Sequence, residues 1–219
     1  AARARRIVSD ALARGEGWLT PAEAKALMGA MRVATAGARL VTSEAAALDA
    51  AHEMGYPVVL KAVGPEIVHK TDVGGVVLDL RDDAALSAAY RTMAGRLGPT
   101  MTGAVVQQMV TGGVELLVGA VVDPTFGPLV ACGSGGVLVD LLADTSFRLH
   151  PLTDLDAADL VGSLRSARLL RGYRDQPPAD ERAVVDTLLR VSALLEACPE
   201  VLELDINPLK VQKIGRAHV

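Results

Sequence analysis

The sequence predicts an α+β fold, built either as one elaborate domain or as two small lobes, and three observations carry that prediction. Capped, alanine-rich helical stretches occupy the first half of the chain and return in its last third. Short apolar strands separated by Gly and Pro crowd the middle. Half of the 219 residues are hydrophobic, which supports a sizeable core and departs from the composition of a disordered chain.

The elements follow in order. A basic stretch from Ala2 to Ala13 reads as a helix leading into Thr20-Pro21-Ala22-Glu23, where Thr as N-cap, Pro at the first helical position and Glu at the third form a capping box. That box opens a helix to about Met31. Ser43 to Met54 is alanine-rich and is stopped by Gly55, and Tyr56 to Val63 is then a β-branched strand. Residues 64–75 mix Gly, Pro, His, Lys, Thr and Asp without periodicity, so they form a loop, and Val76 to Leu80 resumes as a strand. Asp82 to Leu97 reads as a helix. Ala104–Val110, Val114–Val122 and Gly127–Cys132 follow as closely spaced strands suited to an antiparallel meander. Helices at Asp154–Arg165 and Ala179–Ala197 precede a last strand, Val201–Pro208, whose Glu203, Asp205 and Asn207 share one face.

Charge and composition exclude several function classes. Twenty-two Lys and Arg against 26 Asp and Glu give a net charge of −4 with both signs interspersed, which is no footprint for nucleic acid or an anionic membrane. Aromatic residues make up 3% of the chain, too few for a base-stacking surface. The longest uncharged stretches are broken by Gly, Pro, Gln or Ser, so neither reads as a bilayer span. Two cysteines without metal-ligand spacing and no signal-like opening point to a cytoplasmic protein. The opening at Ala1 suggests a piece of a longer protein. Residues 214–219 read as one frame of a sequencing-adapter oligonucleotide, so this tail is set aside as non-native and His218 with it.

Several side chains could carry chemistry. Two carboxylates and a carboxamide on one strand face make a hard-oxygen cluster suited to Mg²⁺ and phosphates, although a half-buried strand with a wet polar side has the same alternation. Lys61 follows an apolar run and could meet a phosphate as a point charge; a snorkelling surface lysine looks the same. Gly133-Ser134-Gly135-Gly136 is a turn that could bring backbone N–H groups to an anion, but the sequence holds neither a Walker A motif nor a dinucleotide fingerprint. His69 lies in a polar loop beside Lys70 and Asp72, where an imidazole could act as nucleophile or base. His52, His150 and Cys132 read as structural.

Taken together, Tyr56-Pro57-Val58-Val59-Leu60-Lys61, Ile67-Val68-His69-Lys70-Thr71-Asp72-Val73-Gly74-Gly75-Val76, Val114-Glu115-Leu116-Leu117-Val118-Gly119, Gly135-Gly136 and Leu204-Asp205-Ile206-Asn207-Pro208-Leu209 resemble the ATP-grasp domain of NDP-forming acyl-CoA synthetases, such as ADP-forming acetate–CoA ligase. The resemblance runs from about residue 5 to 211. It implies an ATP-grasp fold in which two α/β lobes, about 20–100 and about 104–211, clamp a nucleotide. Lys61 is then similar to the lysine on the ATP phosphates, Gln107-Gln108-Met109-Val110 to the segment beside the adenine, and Glu115 to the glutamate on the ribose hydroxyls. Gly135, Gly136 and Asp140 match a glycine-rich stretch ending in an acidic residue near phosphates and metal, with Asp140 where the family more often has Glu. Asn207 resembles a Mg²⁺ ligand, and Asp205 the carboxylate that steadies a phosphohistidine. His69 matches the loop histidine that shuttles a phosphoryl group.

The resemblance implies ATP or ADP with Mg²⁺ as cofactors, and a CoA-binding ligase portion, in the same chain or a separate subunit, as partner. An oligomer is expected. The implied reaction is acyl-CoA + ADP + phosphate ⇌ carboxylic acid + CoA + ATP. A rival of another class is the regulatory ATP-grasp module of a GNAT-type protein acetyltransferase, against which the retained Lys61, His69, Glu115 and Asn207 argue. A biotin-dependent carboxylase or amino-acid ligase would have no evident use for the His69 loop.

Overall fold

A computed structural model describes residues 1–15, 17–64, 67, 73–136, 143–174, 177–213 and the backbone of 217–218. Helices α1 (Ala2–Ala13) and α2 (Pro21–Ala30) are followed by β1 (Ala38–Val41), α3 (Glu44–Met54), β2 (Val58–Val63), β3 (Val76–Leu80), α4 (Asp83–Leu97) and β4 (Gly103–Gln108). Next come β5 (Val114–Asp123), β6 (Gly127–Ser134), β7 (Thr145–Leu149), α5 (Asp154–Gly162), the short α6 (Ala167–Leu170), α7 (Glu181–Ala197), β8 (Glu203–Val211) and β9 (Ala217–His218). The chain divides into two compact units, residues 36–111 and residues 1–35 with 112–219. No helix among the described residues is long and apolar enough to cross a membrane.

Local chemistry explains where helices begin. At α2 the Glu23 amide donates to Thr20 Oγ1 at 3.3 Å while the Thr20 amide donates to Glu23 Oε2 at 2.9 Å, the reciprocal bonds of the expected capping box. Ser43 and Asp82 cap α3 and α4 in the same sense through the Ala46 and Ala85 amides. A further capping box at α5, Thr153 with Asp156, satisfies another pair of otherwise orphan donors.

In the smaller unit the strands run in the order β1-β4-β2-β3, all antiparallel. Leu60, Ala62, Ala104 and Val106 turn to one face and pack on Ala47, Ala50 and Ala51 of α3 and on Leu86 and Met93 of α4. In the larger unit the order is β7-β6-β5-β8-β9. Leu116, Val118, Val130, Cys132, Ile206 and Leu209 form its inner face. Val184, Leu188, Val191, Leu194 and Leu195 of α7 cover that face at helical spacing.

Three expectations are corrected. β4 leaves the meander for the centre of the smaller sheet, because its buried Ala104 and Val106 complete the core under α3 and α4; the meander is instead β5-β6-β7. The division of the chain therefore falls after Thr111 rather than near residue 104, and residues 20–35 pack with the larger unit. β1 and β7 lie where no strand was expected. Separately, the backbone of residues 217–218 forms β9 and pairs with Lys210 and Val211.

Candidate functional site

In the smaller unit, Lys61 alternates out of phase with the fully buried Leu60 and Ala62, so its side chain leaves the sheet on the face away from α3 and α4. Its Nζ donates to Gln107 Oε1 at 2.7 Å. Gln107 and Gln108 belong to β4, and the two following residues continue beyond it, with the Met109 amide donating to Pro57 O at 3.0 Å. Gln108 Nε2 donates to Met54 O at 3.4 Å. The loop expected to carry His69 starts at Gly64, where a Cβ would lie 1.9 Å from Thr100 O, and reaches Gly74, where a Cβ would lie 2.4 Å from Arg96 Nη1. His69 itself lies outside the described residues, as does Asp140.

The larger unit gathers five of the expected residues. β5 lies between β6 and β8, with Glu115 opposite Lys210 and Gly119 opposite Asp205. The register slips between Leu116 and Val118, so that Asn207 and Pro208 together oppose Leu117. This bulge keeps Ile206 and Leu209 both in the core and leaves Asp205, Asn207 and Lys210 with Glu115 on the outer face. Gly135 follows β6 and donates its N–H to Glu115 O at 2.9 Å. The Gly136 N–H donates to Asn207 Oδ1 at 3.1 Å.

Sterics make both positions glycine. A Cβ on Gly135 would lie 2.5 Å from the Leu116 carbonyl, a backbone group that cannot yield. Gly136 has φ +61°, and a Cβ there would lie 1.8 Å from Glu115 Oε2. Glu115 also holds Lys210 Nζ at 3.0 Å, an ion pair that sequence reading missed. Alternation across Asn207-Pro208 conceals that pair, since the bulge shifts the phase of the strand by one residue.

Asp205 is raised above the ordinary aspartate range, first by partial desolvation and then by the charge of Glu203. The other groups set aside as structural behave so. His52 Nε2 pairs with Asp83 Oδ1 at 2.8 Å, and His150 Nδ1 with Ser192 Oγ at 2.9 Å. Burial pushes the Cys132 thiol up to about 12, away from reactivity. Among the described residues no group of three or more His, Cys, Asp or Glu is placed to hold a metal. Asn207 and Asp205 are nevertheless hard oxygen donors on one face, which fits an ion that keeps water and phosphate oxygens as its remaining ligands.

Comparison with known proteins gives this geometry a context. Residues 10–219 match the ATP-grasp domain family. The chain is 47% identical over 177 residues to acetate–CoA ligase (ADP-forming) I of Archaeoglobus fulgidus, covering 79% of this chain and 26% of that protein. It is 35% identical over 213 residues to the beta subunit of acetate–CoA ligase (ADP-forming) I of Pyrococcus furiosus, covering 95% of this chain and 91% of the subunit. It thus spans about a quarter of the Archaeoglobus ligase and nearly all of the Pyrococcus beta subunit. A dinucleotide forming acetyl-coenzyme A synthetase of Ca. Korarchaeum cryptofilum, solved with coenzyme A and Ca-AMPCP, superimposes with a TM-score of 0.89 at 36% identity over 99% of this chain and 96% of that one. The same enzyme, solved with Mg-AMPPCP and its phosphohistidine segment pointing towards the nucleotide binding site, gives a TM-score of 0.84 at 35% identity with the same coverage.

Proposed function

Because this chain belongs to the ATP-grasp domain family together with the beta subunit of an ADP-forming acetate–CoA ligase, we propose that it is the nucleotide-binding, phosphoryl-transferring part of an ADP-forming acid–CoA ligase. The whole reaction is acyl-CoA + ADP + phosphate ⇌ carboxylic acid + CoA + ATP. A CoA-binding ligase portion, fused or separate, supplies the acyl chemistry.

The observation that carries this reading is the convergence at Gly136, where a glycine N–H, the Asn207 carboxamide and the Glu115 carboxylate meet although they come from three different strands or their ends. A backbone N–H held beside hard oxygen donors suits phosphate and its counter-ion. Gly135 and Gly136 let the backbone approach the phosphates, and Glu115 accepts from the ribose hydroxyls. Lys61 offers a point charge to the phosphates, for which it exchanges its bond to the neutral Gln107 amide. The Gln107–Val110 segment flanks the adenine. Asn207 and Asp140 would hold a Mg²⁺ ion, whose chemistry when bound is to offset phosphate charge.

His69 carries the phosphoryl group. In the ATP-forming direction the P–N bond to its imidazole breaks as a P–O bond to the terminal phosphate of ADP forms, and the ring nitrogen recovers its lone pair. Asp205 steadies the phosphorylated imidazole. The rival regulatory reading draws no support from the two relatives described above, both of which are ligases.

The test joins the chain to its CoA-ligase portion, adds Mg²⁺ and γ-labelled ATP, and maps acid-labile phosphate by peptide. Label is expected on His69 and is lost in His69→Ala, which keeps its nucleotide affinity. Normal turnover by that variant overturns the proposal, and saturable ATP binding without any label favours the regulatory module.

A further inference from the structure

Asp144 is a carboxylate for which the roles above have no use, and it is almost fully buried. Its Oδ1 accepts from the Arg165 amide at 2.9 Å, and its Oδ2 accepts from the Ser166 amide at 2.8 Å and from Ser134 Oγ at 3.1 Å. Its backbone carbonyl accepts from the Ser134 amide at 2.9 Å. Burial alone would raise the carboxyl, yet the Arg165 and Ser166 amides and the Ser134 hydroxyl hold it below the ordinary aspartate range.

These bonds sit at a particular place. Ser134 ends β6 and Asp144 directly precedes β7, so the pair closes the root of the connection between the two strands. Gly133 allows the approach, because a Cβ there would lie 2.9 Å from Asp144 O and 2.6 Å from Thr145 Oγ1. Ser134 leads straight into Gly135 and Gly136, whose N–H groups lie on Glu115 O and Asn207 Oδ1. A small rotation at Ser134 therefore moves the Gly136 amide relative to Asn207. Three donors converge on two oxygens, a demand that an acceptor-only carboxylate meets and a carboxamide does not.

We infer that Asp144 is a positioning residue for nucleotide binding: by fixing the point where the β6–β7 connection opens, its carboxylate sets Gly135 and Gly136 in register with Glu115 and Asn207. The functional half of this inference rests on the nucleotide role proposed above, whereas the positional half does not. Asp144 touches no reacting atom and acts through the two glycines.

The test compares Asp144→Asn and Ser134→Ala with the wild-type chain, using residue-resolved amide exchange and titration with Mg-AMPPCP. Exchange at Gly135 and Gly136 should quicken about tenfold in Asp144→Asn while the Leu116 and Val118 amides of β5 keep their wild-type rates. Nucleotide affinity should fall about tenfold in Asp144→Asn and about threefold in Ser134→Ala. In the assembled ligase this should appear as a higher KM for nucleotide with kcat little changed. Should Asp144→Asn fail to fold, Ser134→Ala decides alone. Wild-type exchange at both glycines in a folded variant overturns the inference. Faster exchange with unchanged affinity reduces Asp144 to a structural residue and overturns it as well. A wild-type chain that binds no nucleotide defeats the proposed function, and the exchange rates then still decide whether Asp144 positions the glycines.

Discussion

The two units place candidate groups on the outer face of an antiparallel sheet by different means. In residues 36–111 the candidate is a long, half-buried side chain, Lys61, bonded to the neutral Gln107 Oε1 at 2.7 Å. In the larger unit the candidates are backbone amides at Gly135 and Gly136, positioned by Glu115 O and Asn207 Oδ1 and walled by atoms that leave no space for a Cβ. The first can re-form around a ligand at the cost of side-chain entropy, and the second is organised before any ligand arrives.

The most severe way to break the fixed half is Gly135→Ala. Its Cβ would meet the Leu116 backbone at 2.5 Å, so we expect a loss of about 3 kcal/mol or more, read as a fall in Tm or a failure to fold. Gly136→Ala meets the mobile end of Glu115 instead, but at a positive φ. It should cost about 1–2 kcal/mol in thermal melts and more in nucleotide titration than in stability. If Gly136→Ala binds nucleotide like the wild type, the fixed half of the contrast fails.

Lys61→Ala tests the adjustable half. Affinity for Mg-AMPPCP should fall about tenfold, the scale of a charge-assisted bond to phosphate, while Tm falls far less than in Gly135→Ala. Lys210→Met sharpens the contrast from the other side. Its pair with Glu115 at 3.0 Å is partly exposed, so denaturant unfolding should register only about 0.5 kcal/mol.

The smallest expected effect concerns Asp205. Its folded pKa is raised by desolvation and by Glu203, so the folded protein holds this proton more tightly than the unfolded chain. The ionised carboxylate therefore disfavours folding at pH above its folded pKa, and the penalty disappears as pH falls below the ordinary aspartate value of about 3.8. Asp205→Asn should raise Tm slightly at neutral pH and leave it unchanged near pH 3.5. Asp144 acts in the opposite sense, since its folded pKa is depressed. The stability it contributes is complete above the ordinary aspartate range and is lost as pH falls through its folded pKa, which melts at descending pH can follow in wild type against Asp144→Asn.

Much of the architecture is legible from local chemistry alone. Thr20, Ser43 and Asp82 each announce a helix because the cap bonds form within three residues of the cap. β7 is hidden for a physical reason. Its Phe147 and Leu149 face outward, whereas Ser146 meets Ser163 Oγ at 3.0 Å and Arg148 pairs with Asp159, so its apolar alternation points away from the covering helix. β4 is recognisable as a strand but not as a member of the smaller sheet, because its partners β1 and β2 are chosen by cores that form at long range.

The site divides in the same way. The residue types, the polar face of Glu203, Asp205 and Asn207, and the adjacency of Gly135 and Gly136 are properties of the sequence, set by strand periodicity and by glycine's missing side chain. That Gly136 reaches Asn207, 71 residues away, and stands against Glu115 was decided only when β5 took its place between β6 and β8. The same holds for Asp144, a residue with no motif around it, whose part emerges from donors supplied by Ser134, Arg165 and Ser166. Periodicity and side-chain identity act over a few residues, whereas strand order and bulge register answer to the burial of a whole sheet, and convergence of distant groups follows from the latter.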